Sequence, residues 1–199
     1  MEGKAVLFKA FGDVDAIPLV LNTQDPDEII ATVERIAPSF WGINLEDIAA
    51  PNCFYIEEEL KKRLNIPVFH DDQHGTAIVV LAGLINALKI TKKELWSLKI
   101  VIAGAGAAGL AIATLFKAYG AEHLIITDSK GCIHAGRSDL NAYKLAWIAT
   151  NLNNEQGSLA DALVGADVFI GVSKPNLITA EEVKTMNPDP IIFALSNPE

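Results

Sequence analysis

Residues 99–116 read K-I-V-I-A-G-A-G-A-A-G-L-A-I-A-T-L-F, a β-branched run that turns through three glycines into an apolar helical pattern. Lys99 to Ala103 reads as a strand buried on both faces, and Ala107 to Tyr119 as a helix. Between them Gly104, Gly106 and Gly109 spell G-x-G-x-x-G, with Ala107 and Ala108 opening the helix. The first glycine permits a tight turn, the second lets a pyrophosphate approach the backbone, and the third lets helix pack on strand. The helix N-terminus adds free N–H groups and the positive end of its dipole. Such turns also arise for packing alone, so context decides. Asp128 follows Gly109 by 19 residues, at the end of the next strand (Leu124 to Thr127). A carboxylate there binds the adenosine ribose hydroxyls. The stretch therefore predicts a dinucleotide site. Asp128 favours NAD, because it repels a 2′-phosphate; Ser129 and Lys130 soften that preference and leave room for NADP.

Working outward, the strand–helix alternation continues. Val168 to Val172 and Ile191 to Leu195 read as strands, and Thr179 with Glu182 caps a helix between them. Upstream, Ala5 to Phe8, Ile17 to Leu21, Gly42 to Leu45 and Ile66 to Phe69 read as strands. A helix opens at Asp25, with Pro26 in its first turn and Glu28 closing a capping box; Ile29, Ile30, Val33 and Ile36 form its apolar face. Charged residues around Ile56 to Leu64 form another helix, and Gly75 to Lys89 a core helix packed between layers. The polar stretch Thr91 to Trp96 reads as a joint. The expectation is an α/β protein: a parallel-sheet metal- and substrate-binding segment (residues 1–92), then a Rossmann-type dinucleotide-binding domain (residues 93–199).

Composition narrows the function. Of 199 residues 50% are apolar and 21% charged, enough to bury a core, and the net charge of −9 repels nucleic acid. The two cysteines, Cys53 and Cys132, form no C-x-x-C and fit a reducing compartment. No signal peptide opens the chain, and the apolar run from Thr76 to Leu88 is too short to span a bilayer. A cytoplasmic, non-membrane protein is expected.

Two acidic pairs remain. Glu46-Asp47 and Asp71-Asp72 each follow a strand, and the carboxyl ends of parallel strands are where ligands bind in open α/β folds. A divalent cation with oxygen ligands, Mg²⁺ or Mn²⁺, would neutralise them. A solvated loop, or Asp72 capping the helix near Gly75, would explain them too. His70 and His74 read as supporting polar residues rather than ligands, and His123 and His134 as surface and loop residues.

The ordered set E-G-K-A-V-L-F (2–8), N-L-E-D-I (44–48), H-D-D-Q-H-G-T-A (70–77), G-A-G-A-A-G (104–109) and A-L-S-N-P (194–198) closely resembles the bacterial-type malic enzymes. That family oxidises malate with NAD or NADP and decarboxylates the oxaloacetate to pyruvate, using Mg²⁺ or Mn²⁺. The resemblance implies Glu46, Asp47 and Asp72 as metal ligands, Asp71 as a supporting carboxylate, and Lys4 as general base. It implies Asn197 as a contact to substrate or to the nicotinamide end, where a structural turn at Asn197-Pro198 is the alternative. It also implies a homo-oligomer, a dimer or larger.

The match fails at the ends. The family's acid is a tyrosine upstream of the G-K motif, and Tyr55, Tyr119 and Tyr143 match nothing in that role. An upstream arginine that holds the substrate carboxylate has no counterpart either. A central fragment, truncated at both ends and lacking a complete active site, is therefore expected. A malolactic enzyme (malate to lactate, NAD kept bound) and a non-catalytic NAD-binding module are the rival readings. A metal-free amino-acid dehydrogenase would leave both acidic pairs unexplained.

Overall fold

A computed structural model describes residues 2–196; Asn197, expected to touch substrate or cofactor, lies outside the described residues. Packing divides the chain after His70 into two compact units.

The first unit opens with helix α1 (Glu2–Gly12), none of whose side chains is buried. The Ala5 to Phe8 run, expected as a strand, lies inside this helix. Four apolar residues in a row fit either period. Ile17 to Leu21 is likewise not a strand; Pro18 within it has no N–H to donate. Helix α2 (Pro26–Ile36) is capped by Asp25, whose carboxylate accepts from the N–H groups of Asp27 and Glu28 at 2.9 Å. The expected reciprocal bond is absent among the described residues: the Glu28 carboxylate accepts from the Thr23 hydroxyl instead. Strand β1 (Ile43–Leu45), helix α3 (Asn52–Arg63) and strand β2 (Val68–His70) complete the unit. β1 and β2 pair in parallel, with Leu45 opposite His70. Ile30, Val33, Leu45, Ile56 and Leu60 form the core beneath them.

The second unit opens with α4 (Asp71–Thr91). This helix is buried along one narrow face, Gln73, Ala77, Val80 and Leu84, and is not enclosed between layers as expected; Ile78 and Val79 are exposed. Among the described residues it is the one helix with the length and apolarity of a membrane span; it opens on two aspartates and packs along α5. The Thr91 to Trp96 stretch thus lies inside the second unit. Strand β3 (Lys99–Ala103), helix α5 (Ala107–Tyr119), strands β4 (His123–Asp128) and β5 (Gly131–Cys132), short helices α6 (Ala142–Leu145) and α7 (Leu159–Leu163), strand β6 (Val168–Gly171), helix α8 (Ala180–Val183) and strand β7 (Ile191–Ala194) follow. Their sheet has the order β5-β4-β3-β6-β7, parallel except for β5. The chain leaves β3 toward β4 on one side and returns to β6 on the other. That reversal opens a crevice at the carboxyl end of β3. Thr179 and Glu182 make the reciprocal cap expected of them. His123, expected at the surface, has a side chain only 14% exposed.

Candidate functional site

In the second unit, the turn after β3 is built as a phosphate cradle. Gly104 has φ +135, a region that favours glycine, and its N–H donates to the Thr127 carbonyl at 3.0 Å. A Cβ on Gly109 would overlap the Gly104 carbonyl, so helix and strand meet at that glycine. A Cβ on Gly106 would meet nothing within 4 Å, and no side chain caps α5 there. The first N–H groups of α5, from Ala107 and Ala108 onward, thus face an open approach beside Gly106. This is what a pyrophosphate requires.

The loop after β6 flanks the same turn. A Cβ on Gly104 would come within 3.1 Å of Val172 Cγ2 and 3.3 Å of Ser173 Cβ. Ser173 lies at the crevice and was missed from sequence; its position two residues beyond a buried strand was the available signal.

Asp128 ends β4, but it does not stand alone. Arg137 Nη1 donates to its Oδ1 at 2.8 Å and Nη2 to its Oδ2 at 3.1 Å. Lys144 Nζ donates to Oδ2 at 2.6 Å and the Lys130 N–H to Oδ1 at 3.0 Å. Burial alone would push this carboxyl up; the Arg137 and Lys144 hydrogen bonds outweigh it and hold the pKa at about 2. Arg137 also grips Asp139 at 3.0 and 2.8 Å, and Lys130 Nζ reaches Asp139 at 2.8 Å. Neither Arg137 nor Lys144 was singled out from sequence. Two basic residues shortly after an acidic strand end are common on solvated loops, so spacing gave no reason to select them.

In the first unit, β1 delivers Glu46 and Asp47 directly past its end. Lys4 Nζ lies 3.4 Å from Glu46 Oε1, and the two side chains are 28% and 16% exposed. Lys4 is therefore held against a partly buried carboxylate, not loose at the surface. Glu46 Oε2 and Asn44 Oδ1 are buried with no hydrogen-bond partner among the described residues. A buried carboxylate oxygen is costly unless a cation or donor meets it. Asp47 has φ +60 and an exposed side chain. A cleft of about 550 Å³ runs past Asn44, Glu46 and Asp47, walled by Leu19, Val20 and Phe40. The His70 N–H donates to Glu57 Oε1 at 3.2 Å within the buried layer.

In the second unit, Asp71 and Asp72 occupy the first turn of α4. The positive end of the helix dipole favours carboxylates there. The helix thus starts at Asp71, four residues before the start read at Gly75. A Cβ on Gly75 would come within 2.7 Å of Asp71 Oδ1, so glycine gives that carboxylate its space. Among the described residues no group of three or more His, Cys, Asp or Glu side chains is gathered closely enough to hold a metal ion. Within the first unit the unpartnered Glu46 Oε2 is the atom that best fits a hard cation, which takes oxygen donors.

The second unit is thus a nicotinamide-dinucleotide-binding fold of the doubly wound class, with its glycine turn at the topological switch. Residues 73–199 match the family model described as malic enzyme, NAD binding domain, and residues 23–61 the one described as malic enzyme, N-terminal domain. The chain belongs to the malic enzyme family. It is 58% identical, over its whole length and 49% of the other protein, to a bifunctional malic/malolactic enzyme of Bacillus subtilis. It is 51% identical, over its whole length and 47% of the other, to an NADP-dependent malic enzyme of Halomonas elongata. Among solved structures, an NAD-dependent malic enzyme of Thermotoga maritima superposes with a TM-score of 0.96 at 48% identity, over all of this chain and 53% of that one. The chain spans about half the length of these two relatives.

Proposed function

We propose that the protein oxidises L-malate with a nicotinamide dinucleotide and decarboxylates the resulting oxaloacetate to pyruvate and carbon dioxide. The observation that carries this reading is the Lys4–Glu46 pair, 3.4 Å apart beside the cleft at the end of β1. A lysine held beside a partly buried carboxylate supports a base next to a metal-binding group, and the Gly104–Gly109 turn of the second unit supports dinucleotide binding. Lys4 Nζ would take the proton of the substrate 2-hydroxyl, and a nicotinamide dinucleotide held at the glycine turn would supply the hydride acceptor for the same carbon. To take that proton Lys4 must first be neutral. Glu46, Asp47 and Asp72 would hold Mg²⁺ or Mn²⁺, which when bound would supply Lewis-acid polarisation of the substrate oxygens. Asp71 would be a supporting carboxylate, and Asn197, which lies outside the described residues, would contact the substrate or the nicotinamide end. The work is divided between a metal- and substrate-binding part (residues 1–92) and a dinucleotide-binding part (residues 93–199). We place the enzyme in the cytoplasm as a homo-oligomer; Phe11, Val20 and Trp41, each more than four-fifths exposed, favour a covering partner chain.

Product analysis tests the reading on the natural polypeptide that carries these residues. It would receive L-malate and NAD⁺, with and without Mn²⁺, alongside Asp72→Asn. Mn²⁺-dependent NADH and pyruvate, both lost in the variant, are expected. Lactate without accumulating NADH would establish malolactic chemistry, a reading the Bacillus relative's name favours. Dinucleotide binding without turnover would leave only a binding module.

A further inference from the structure

The charge cluster around Asp128 contains two carboxylates, Asp128 and Asp139, and three cations, Lys130, Arg137 and Lys144, all in direct contact. A carboxylate offers about four lone-pair positions. Here four donors occupy them: both Arg137 Nη atoms, Lys144 Nζ and the Lys130 N–H. A lone acidic residue at a strand end selects the 2′-hydroxyl by repelling a 2′-phosphate. This one has no uncompensated charge with which to repel.

The donors are not equally fixed. Arg137, 9% exposed, spans Asp128 and Asp139 and also donates to the Gly131 and Cys132 carbonyls at 3.4 Å. Lys144 makes one bond to Asp128 and keeps 22% of its side chain exposed. A ribose hydroxyl that donates to Asp128 would displace Lys144 first. A 2′-phosphate would meet Lys144 on the same side, with Arg137 still cancelling the carboxylate behind it.

We propose that Arg137 is a positioning residue which, with Lys144, neutralises Asp128 and makes the adenosine subsite accept NADP as well as NAD. The proposal rests on the dinucleotide reading of the glycine turn. It goes beyond that reading by assigning cofactor selectivity to a clamp behind the carboxylate rather than to the carboxylate itself.

Isothermal titration of the full chain with NAD⁺ and with NADP⁺ tests it, for the unaltered protein, Arg137→Gln, Arg137→Lys and Lys144→Gln. The two dissociation constants of the unaltered chain should lie within about tenfold of each other, the effect of roughly one weak charge contact. Arg137→Gln should weaken NADP⁺ at least ~10-fold more than NAD⁺, since it exposes the carboxylate charge to the 2′-phosphate. Arg137→Lys should recover part of that loss. Lys144→Gln removes a single exposed bond and should shift the ratio the same way without disturbing the fold. Raised salt should weaken NADP⁺ more than NAD⁺. A preference for NAD⁺ above about 100-fold in the unaltered chain would overturn the proposal while leaving the dinucleotide site standing. Equal losses for both cofactors in Arg137→Gln and none in Lys144→Gln would reduce Arg137 to a structural role. Absence of binding by either dinucleotide would remove the cofactor reading itself.

Discussion

Gly106 and Gly109 stand three residues apart in one turn, and the surroundings give them opposite burdens. An added methyl at Gly109 runs into the Gly104 carbonyl, whereas at Gly106 it projects into open space. Gly109→Ala should therefore cost about 1–3 kcal/mol, the usual range for overpacking, and lose dinucleotide affinity as α5 shifts. Gly106→Ala should keep its melting temperature yet still lose affinity, because the methyl occupies the pyrophosphate's approach. Thermal melts beside NAD⁺ titrations separate the two, and equal destabilisation would show that Gly106 is a packing glycine. Asp128 gives a second residue-level test. Its folded pKa, about 2, lies below the ordinary 3.8, so its stabilisation is full above 3.8 and disappears as pH falls through 2. Asp128→Asn should cost roughly 2 kcal/mol near neutrality, and urea titrations should show that gap closing toward pH 2.

At the scale of elements, the far end of the sheet carries its own pH dependence. Lys99 and His123 lie opposite each other where β3 and β4 begin. Lys99 Nζ donates to Glu155 Oε2, whose other oxygen lies 3.5 Å from His123 Nε2. Burial pushes the His123 pKa down and Lys99 adds to it, against the opposing pull of Glu155. Where the unfolded chain takes a proton near 6.5, the folded one resists it. The His123 contribution is thus complete above 6.5 and is lost as pH falls below that value. Replacing His123 with Gln should flatten the stability profile just below about pH 6.5; an unchanged slope in chemical denaturation would assign that acid sensitivity elsewhere. The same contrast of local and distant effects explains what could be read from sequence. β3, α5, β4 and β6 were legible because long apolar runs between glycines admit one period. Ala5 to Phe8 was not, since four apolar residues suit helix and strand alike. The Asp25 cap was legible, but its partner at Glu28 goes to Thr23, a choice made by geometry five residues away. Arg137 was invisible for the same reason, being meaningful only where the chain folds it onto Asp128.

For the whole molecule, the two compact units are expected to respond differently to the cofactor. Each has its own core, Ile30, Ile56 and Leu60 in one, Val101, Ile125 and Phe169 in the other. The glycine turn, Asp128 and Arg137 all belong to residues 71–199. A ligand that binds only the folded form stabilises what it binds, by about 2.7 kcal/mol at a hundred times its dissociation constant. Saturating NAD⁺ should therefore slow amide hydrogen exchange across β3, α5 and β4 by about that free energy, a factor near 100. Amides of α2, α3 and β2 should be little changed. Added Mn²⁺ should instead protect the end of β1, around Glu46, because the buried oxygen there lacks a partner among the described residues. Protection by NAD⁺ spread evenly over residues 26–70 would contradict this separation, for it would mean that both units open in one cooperative step. Protection confined to the dinucleotide fold would mean that residues 26–70, Glu46 and Asp47 among them, open and close independently of cofactor occupancy.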